Sequence, residues 1–238
     1  MAKRGKINRS RARRDTIERP VRWRRYAQIG LIVCEDEKTE PYYFEQFRTG
    51  FPDETLFLRC VGTGRDALGV VEAAVAEKAQ LSAQAGKEVD FVWVVFDKDS
   101  ADENPSKVMR FQRAFELAEA HQIQVAYSNE VFELWLLLHL QTVDADQPIP
   151  RATIYQQLEQ AIQCAKGDMT YTYQHGDPRV VDEVLTHGEE EVAIQRATAL
   201  ADCFRTQPPI QCNPSTQVHE LVTALRAWIR FYNWTPDE

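Results

Sequence analysis

Several things are scarce in this 238-residue chain, and each scarcity excludes something. No apolar run approaches the roughly 20 residues needed to cross a bilayer, so no membrane-spanning helix is expected. The start of the chain has no apolar core of a secretory signal, which makes the cytoplasm the expected location. Cysteine is limited to positions 34, 60, 164, 203 and 212, an odd number without any C-x-x-C pair. A disulfide framework or a structural zinc site is therefore not expected. There is no Walker A string, so an ATP-driven step would have to come from a partner protein. No internal repeat is present.

What is present starts with charge. Residues 1–25 carry 11 Lys and Arg against Asp15 and Glu18, a balance of +9, whereas the remainder stands at −17 and the whole at −8. Such a segment is too polar to bury a core and reads as a basic arm. Arg11, Arg13, Arg14, Arg24 and Arg25 are its candidate nucleic-acid contacts, because cations that displace counterions from phosphates gain affinity. A solubilising tail is the equally open alternative. The acidic body argues against a broad nucleic-acid groove outside the arm, local basic patches or a bound metal.

Across the whole chain, 44% hydrophobic residues suffice for a real core. Strands are expected at about 28–34, at LFLRCVG (56–62), at 90–96 and at IQVAYS (123–128). Helices are expected from about Pro41, over about 65–84, from Asn104-Pro105 to about 121, and over VFELWLLLHL (131–140). This alternation predicts a parallel α/β sheet of four strands over residues 26–140. After the linker TVDADQPIP, residues 141–238 read as a helical C-terminal extension packed on that domain. Its helices are expected near 151–165, 177–186, 188–205 and 216–232. Asn213-Pro214-Ser215-Thr216 reads as the start signal of the last helix. Gly167–Gly176 is polar and aromatic without periodicity, and reads as a loop.

Two of the strands end in acid. QIGLIVC runs into Glu35-Asp36-Glu37, and DFVWVVF runs into Asp97-Lys98-Asp99. Parallel sheets bind ligands outside the carboxyl ends of their strands. Glu35, Asp97 and Asp99 at one edge would repel unless a cation neutralised them, and all-oxygen ligands suit Mg²⁺ or Mn²⁺. Asp97 and Asp99 have the i, i+2 spacing that puts strand residues on one face. Acids are also common where a strand meets a loop. Glu133, in an apolar stretch, needs a partner or a cation if buried, or serves the positive end of its helix. Lys38 and Lys98 could steady a phosphate or neutralise neighbouring acids. Gly62-Thr63-Gly64 reads as a tight turn, Ser128-Asn129 as a helix cap, and His139 and His219 as core or surface residues.

The order strand-Glu, then strand-Asp-x-Asp, resembles the Toprim fold of topoisomerases, primases and nucleases. The strings IVCEDEKTEPYYF, VVFDKDS, SNEVFELWLLLH and NPSTQVHELV resemble the RloB family more closely, over about residues 27–235. That family is Toprim-like and associated with bacterial restriction and abortive-infection loci. The resemblance implies that Glu35 is a general acid/base or metal ligand and that Asp97 and Asp99 hold Mg²⁺. It also implies that Glu133 matches a recurring acid and that a partner ATPase is encoded nearby. Two positions depart from the pattern: Asp36 stands where a small residue is expected, and Glu130 where a proline is. The expected activity is metal-dependent hydrolysis of phosphodiester bonds in DNA or RNA, with Glu35 and Lys38 as catalytic candidates. The alternatives are a non-catalytic Toprim-like subunit binding nucleic acid or an ATPase, and a small-molecule phosphohydrolase.

Overall fold

The computed structural model describes residues 23–234. In chain order it contains β1 (Gln28–Cys34), α1 (Thr39–Glu45), β2 (Leu56–Gly62), α2 (Ala67–Ala85), β3 (Phe91–Asp97), α3 (Pro105–Ala120), β4 (Gln124–Asn129) and α4 (Glu133–Leu140). Then follow α5 (Arg151–Lys166), α6 (Arg179–His187), α7 (Glu190–Cys203), β5 (Ser215–Thr216) and α8 (Val218–Tyr232). The strands form one sheet in the order β2-β1-β3-β4-β5, parallel except for β5.

Strand alternation sorts the core into two layers. Ile29, Leu31 and Val33 of β1 and Val92, Val94 and Phe96 of β3 point to one face and pack with α2 and α3. Ile32, Cys34, Trp93 and Val95 point to the other face, which α1 and α4 cover. This is the period-2 arrangement of strands buried on both sides. Helix α4 is apolar all round, with Leu134, Trp135, Leu136, Leu137 and Leu138 fully buried. A helix of that kind must be enclosed. It is, because α5, α6 and α7 pack on its outer side. Helix α8 buries Val218, Leu221, Val222 and Leu225, a single i, i+3, i+4, i+7 face, into the same layer.

Two expectations need correction. The sheet has five strands, and the fifth comes from the supposedly all-helical extension. Ser215 pairs antiparallel with Asn129 and Thr216 with Ser128, and the Ser128 and Thr216 hydroxyls lie 2.9 Å apart. Two residues cannot display a strand periodicity, so Asn213–Thr216 looked like a helix cap in sequence. The second correction concerns Ser128-Asn129, which are occupied by this pairing and do not cap α4. The residue before α4 is Phe132, with no capping side chain, and the Asn129 amide donates weakly to Pro209 and Ile210 carbonyls instead.

The turn after β2 fixes the end of β1. Thr63 N–H and its hydroxyl both donate to Cys34 O at 3.0 Å, and Gly64 N–H donates to Glu35 O at 2.8 Å. Gly64 has φ of +62°, where an L side chain is strained. At Gly62 an added Cβ would lie 2.5 Å from both Asp36 O and Glu37 Cα. Those are backbone atoms and cannot rotate away. Gly62→Ala is therefore expected to displace the 35–37 loop and cost about 1–3 kcal/mol as overpacking does. A lowered urea midpoint would show it, and an unchanged midpoint would contradict the close-approach argument.

Candidate functional site

Chain order runs from β1 out to β2 on one side, while β3 and β4 extend the sheet on the other. The boundary between β1 and β3 is thus the topological switch point, where open α/β sheets leave a crevice at their carboxyl ends. Register places Cys34 beside Val95, so Glu35 emerges level with Phe96, one residue short of Asp97. The contact is direct: Asp97 N–H donates to Glu35 Oε2 at 3.0 Å.

A cavity of about 200 Å³ opens there, lined by Glu35, Asp97 and Asp99 together with Asp66, Lys107 and Arg110. The three acids named from sequence thus share one cavity. The strand-spacing reason for Asp99 fails, however. β3 ends at Asp97, and Asp99 lies beyond it with φ of 51°, in the left-handed region that Asp tolerates better than most residues. Its carboxylate is engaged by the Arg151 guanidinium, which comes from the first residue of α5.

Burial and crowding shift protonation in one direction. Desolvation pushes Glu35 from the ordinary carboxylate value of 4.5 up to about 8, with Asp99 and Asp66 adding to the rise and the Asp97 N–H opposing it. Asp97 is raised well above its usual range by desolvation and by Glu40, Glu35, Glu133 and Asp99. Its Oδ1 is sealed from solvent with no hydrogen-bond partner. Such an oxygen is costly unless a proton or a cation takes it.

Glu40 was not anticipated. It lies in the first turn of α1, is 1% exposed, and accepts from Asp36 N–H at 3.2 Å. Desolvation, Glu35 and Asp36 raise its pKa well above the usual carboxylate range. The available signal was a third Glu, five residues after Glu35 and immediately before Pro41. Nothing in the periodicity said that it would turn inward. Asp66 was also missed. It caps α2 through Gly69 N–H and holds Arg110 through two hydrogen bonds of 2.7 and 2.8 Å, tying α2 to α3 across the cavity.

Glu133 is buried at the start of α4 but does not line this cavity. Its Oε1 accepts from the Tyr173 hydroxyl and lies 3.4 Å from His175 Nδ1. Lys38 is exposed just before α1. Lys98 is buried, 4% exposed, and neutralises Asp102 and Glu130 at 2.8 and 2.9 Å. Glu130, standing where the pattern expects proline, thereby has a charged partner, and it also accepts from the Asn213 amide at 3.1 Å. Asp36, the other departure, turns back to accept from the N–H groups of Lys38 and Thr39 at the start of α1. His139 and His219 are both buried, so both belong to the core.

Of the arm, Arg11, Arg13 and Arg14 lie outside the described residues. The backbone of Arg24 and Arg25 forms a short 3₁₀ turn, and Arg25 pairs with Glu54 at 2.9 Å on the surface. That turn precedes β1, at the sheet edge opposite the acids, about 20 Å away along a seven-residue strand.

Among the described residues, no three His, Cys, Asp or Glu side chains converge as ligands for one metal ion. Each of the nearby acids has another partner: Arg151 holds Asp99, Tyr173 and His175 engage Glu133, and Asp36 N–H donates to Glu40. What fits a hard divalent cation is the unpartnered Asp97 Oδ1 beside Glu35, since Mg²⁺ is commonly held by one or two carboxylates and completes its shell with water and substrate phosphate. No described helix is long and apolar enough to cross a membrane.

Comparison with known proteins gives one finding. No curated protein and no solved structure matches the chain. The family model described as RloB-like protein matches residues 30–225, a span that contains the acidic ends of β1 and β3, α4 and the first half of α8, and the chain belongs to the RloB-like family.

Proposed function

We propose that this chain is a Toprim-like, metal-dependent nuclease that hydrolyses phosphodiester bonds and serves in bacterial phage defence with a partner ATPase. The observation that carries the reading is Asp97 Oδ1, buried and unpartnered beside Glu35 at the switch point of a parallel sheet. Asp97 and Glu35 would hold Mg²⁺ or Mn²⁺, with Asp99 and Glu40 near enough to add negative charge. When bound, the metal supplies an activated water and neutralises charge on phosphate oxygens.

The chain's own residues supply the rest. Glu35 holds one oxygen against Asp97 N–H and keeps the other for a proton or a ligand. Burial raises its pKa to about 8 in the metal-free protein, so near neutral pH it holds a proton that a bound cation would displace. Lys107 and Arg110 on α3 line the cavity, paired with Glu103 and Asp66, and each keeps a further N–H donor for a substrate phosphate. Lys98 is committed to Asp102 and Glu130, and so serves to neutralise and position the loop that carries Asp99.

A second reading has its own support. The Arg151–Asp99 pair and the lack of a three-acid ligand set among the described residues suit a regulatory subunit that binds nucleic acid or an ATPase without cutting. The test is incubation with mixed DNA and RNA substrates, with Mg²⁺ or Mn²⁺ and the neighbouring ATPase, against a chelator control. Metal-dependent cleavage supports the nuclease. Binding without cleavage under any of these conditions supports the regulatory subunit.

A further inference from the structure

The segment Gly167–Gly176 is not used by the acid site, yet it carries Tyr171, Tyr173 and His175 at alternate positions. It is clamped along α5. Gln163 Nε2 donates to Tyr171 O at 2.7 Å, and Tyr173 N–H donates to Glu159 Oε2 at 2.8 Å. One turn further back, the Tyr155 ring meets Tyr173 at 5.2 Å and His175 at 5.5 Å between centroids. Arg151, Tyr155, Glu159 and Gln163 therefore form a single i, i+4 row on α5, and the segment runs antiparallel beside it.

The geometry of these rings sets them apart. Both pairs are tilted by 34°, the flattest of the ring pairs among the described residues. Every other ring pair among the described residues crosses at 59° or more, and most of these meet edge to face as in a packed core. The outermost ring, His175, has a side chain 69% exposed to solvent. The stack adjoins the acids: Glu133 contacts both Tyr173 and His175, and Arg151, one turn from Tyr155, contacts Asp99.

We propose that Tyr155, Tyr173 and His175 form a preformed stacking platform for an unpaired nucleobase, with Arg151 taking the adjoining phosphate. Bases stack on such rings whatever their sequence, and only an unpaired base exposes its face. Arg151 uses one nitrogen on Asp99 and retains further guanidinium N–H donors for a phosphate. Residues four apart on a helix are neighbours roughly 5–6 Å apart, close enough to serve one nucleotide's base and phosphate together. Because Glu159 and Gln163 already fix the segment, little ordering cost remains on binding. The inference rests on the nucleic-acid reading and narrows its substrate to single strands, loops or splayed-out ends.

The test is fluorescence anisotropy in chelator, so that no cleavage intervenes, with labelled single-stranded DNA and RNA of one mixed sequence and with the matching duplexes. Single strands should bind more tightly than duplexes. His175→Gln, which keeps a polar contact to Glu133 but lacks a ring, should weaken single-strand binding by roughly 5- to 150-fold, the effect of losing one base stack. His175→Phe, which keeps the ring, should bind like the wild type, and duplex affinity should not change in either variant. Equal affinity for single strands and duplexes, or unchanged binding by His175→Gln, overturns the platform and leaves the nuclease reading standing. No binding to any nucleic acid overturns both.

Discussion

Glu35→Gln is expected to lower metal-dependent phosphodiester cleavage by at least roughly 10²–10⁴-fold, the contribution of a positioned acid/base group. The substitution keeps the side chain's shape and its hydrogen bond from Asp97 N–H, but removes both the titrating proton and the charge that binds a cation. A structural residue would tolerate this change. A merely binding subunit would also retain its affinity for nucleic acid after it. Cleavage rates measured with Mg²⁺ or Mn²⁺ decide the matter, and a variant that cuts at the wild-type rate removes Glu35 from the chemistry.

The same side chain is expected to act in the opposite sense on stability. In metal-free protein Glu35 is raised from 4.5 to about 8, and Asp97 and Glu40 are raised in the same direction. A carboxyl with a raised folded-state pKa favours folding fully below its unfolded value and loses that contribution as pH climbs through the folded one. The metal-free protein should therefore melt at progressively lower temperature between about pH 4.5 and 8. Mn²⁺ should reverse the loss at the upper end, because a ligand that binds only the folded state stabilises it. Glu35→Gln, locked in a neutral form, should melt higher than the wild type at pH 8 without metal. Parallel melting curves for wild type and variant across this range would contradict the assignment of the titration to Glu35.

The four parallel strands and the acids that end β1 and β3 were readable because both rest on strong local signals. An apolar run of six or seven residues flanked by acid admits few other structures, and β2 falls at Leu56–Gly62 as the string LFLRCVG indicated. What escaped was set by tertiary contact. Ser215 and Thr216 become a strand only because β4 offers them an edge. Glu40 turns inward because α1 packs against the end of β1, which no pattern within TEPYYF encodes. Asp99 was expected beside Asp97 by strand alternation, but the strand stops two residues too early and the backbone turns left-handed. The partners that disperse the acids come from far along the chain: Arg151 to Asp99 spans 52 residues and Tyr173 to Glu133 spans 40. Single-sequence periodicity does not reach such distances.

The most direct measurement is a calorimetric titration of Mn²⁺ into the wild type and into an Asp97→Ala, Asp99→Ala double variant. Removing these charges relieves repulsion in the metal-free protein, so the double variant should fold. The wild type is expected to bind Mn²⁺ with affinity that rises with pH, since the cation competes with protons for raised carboxyls. The double variant is expected to bind far more weakly or not at all. Equal Mn²⁺ binding by the two proteins would contradict the claim that the acids between β1 and β3 form a metal site.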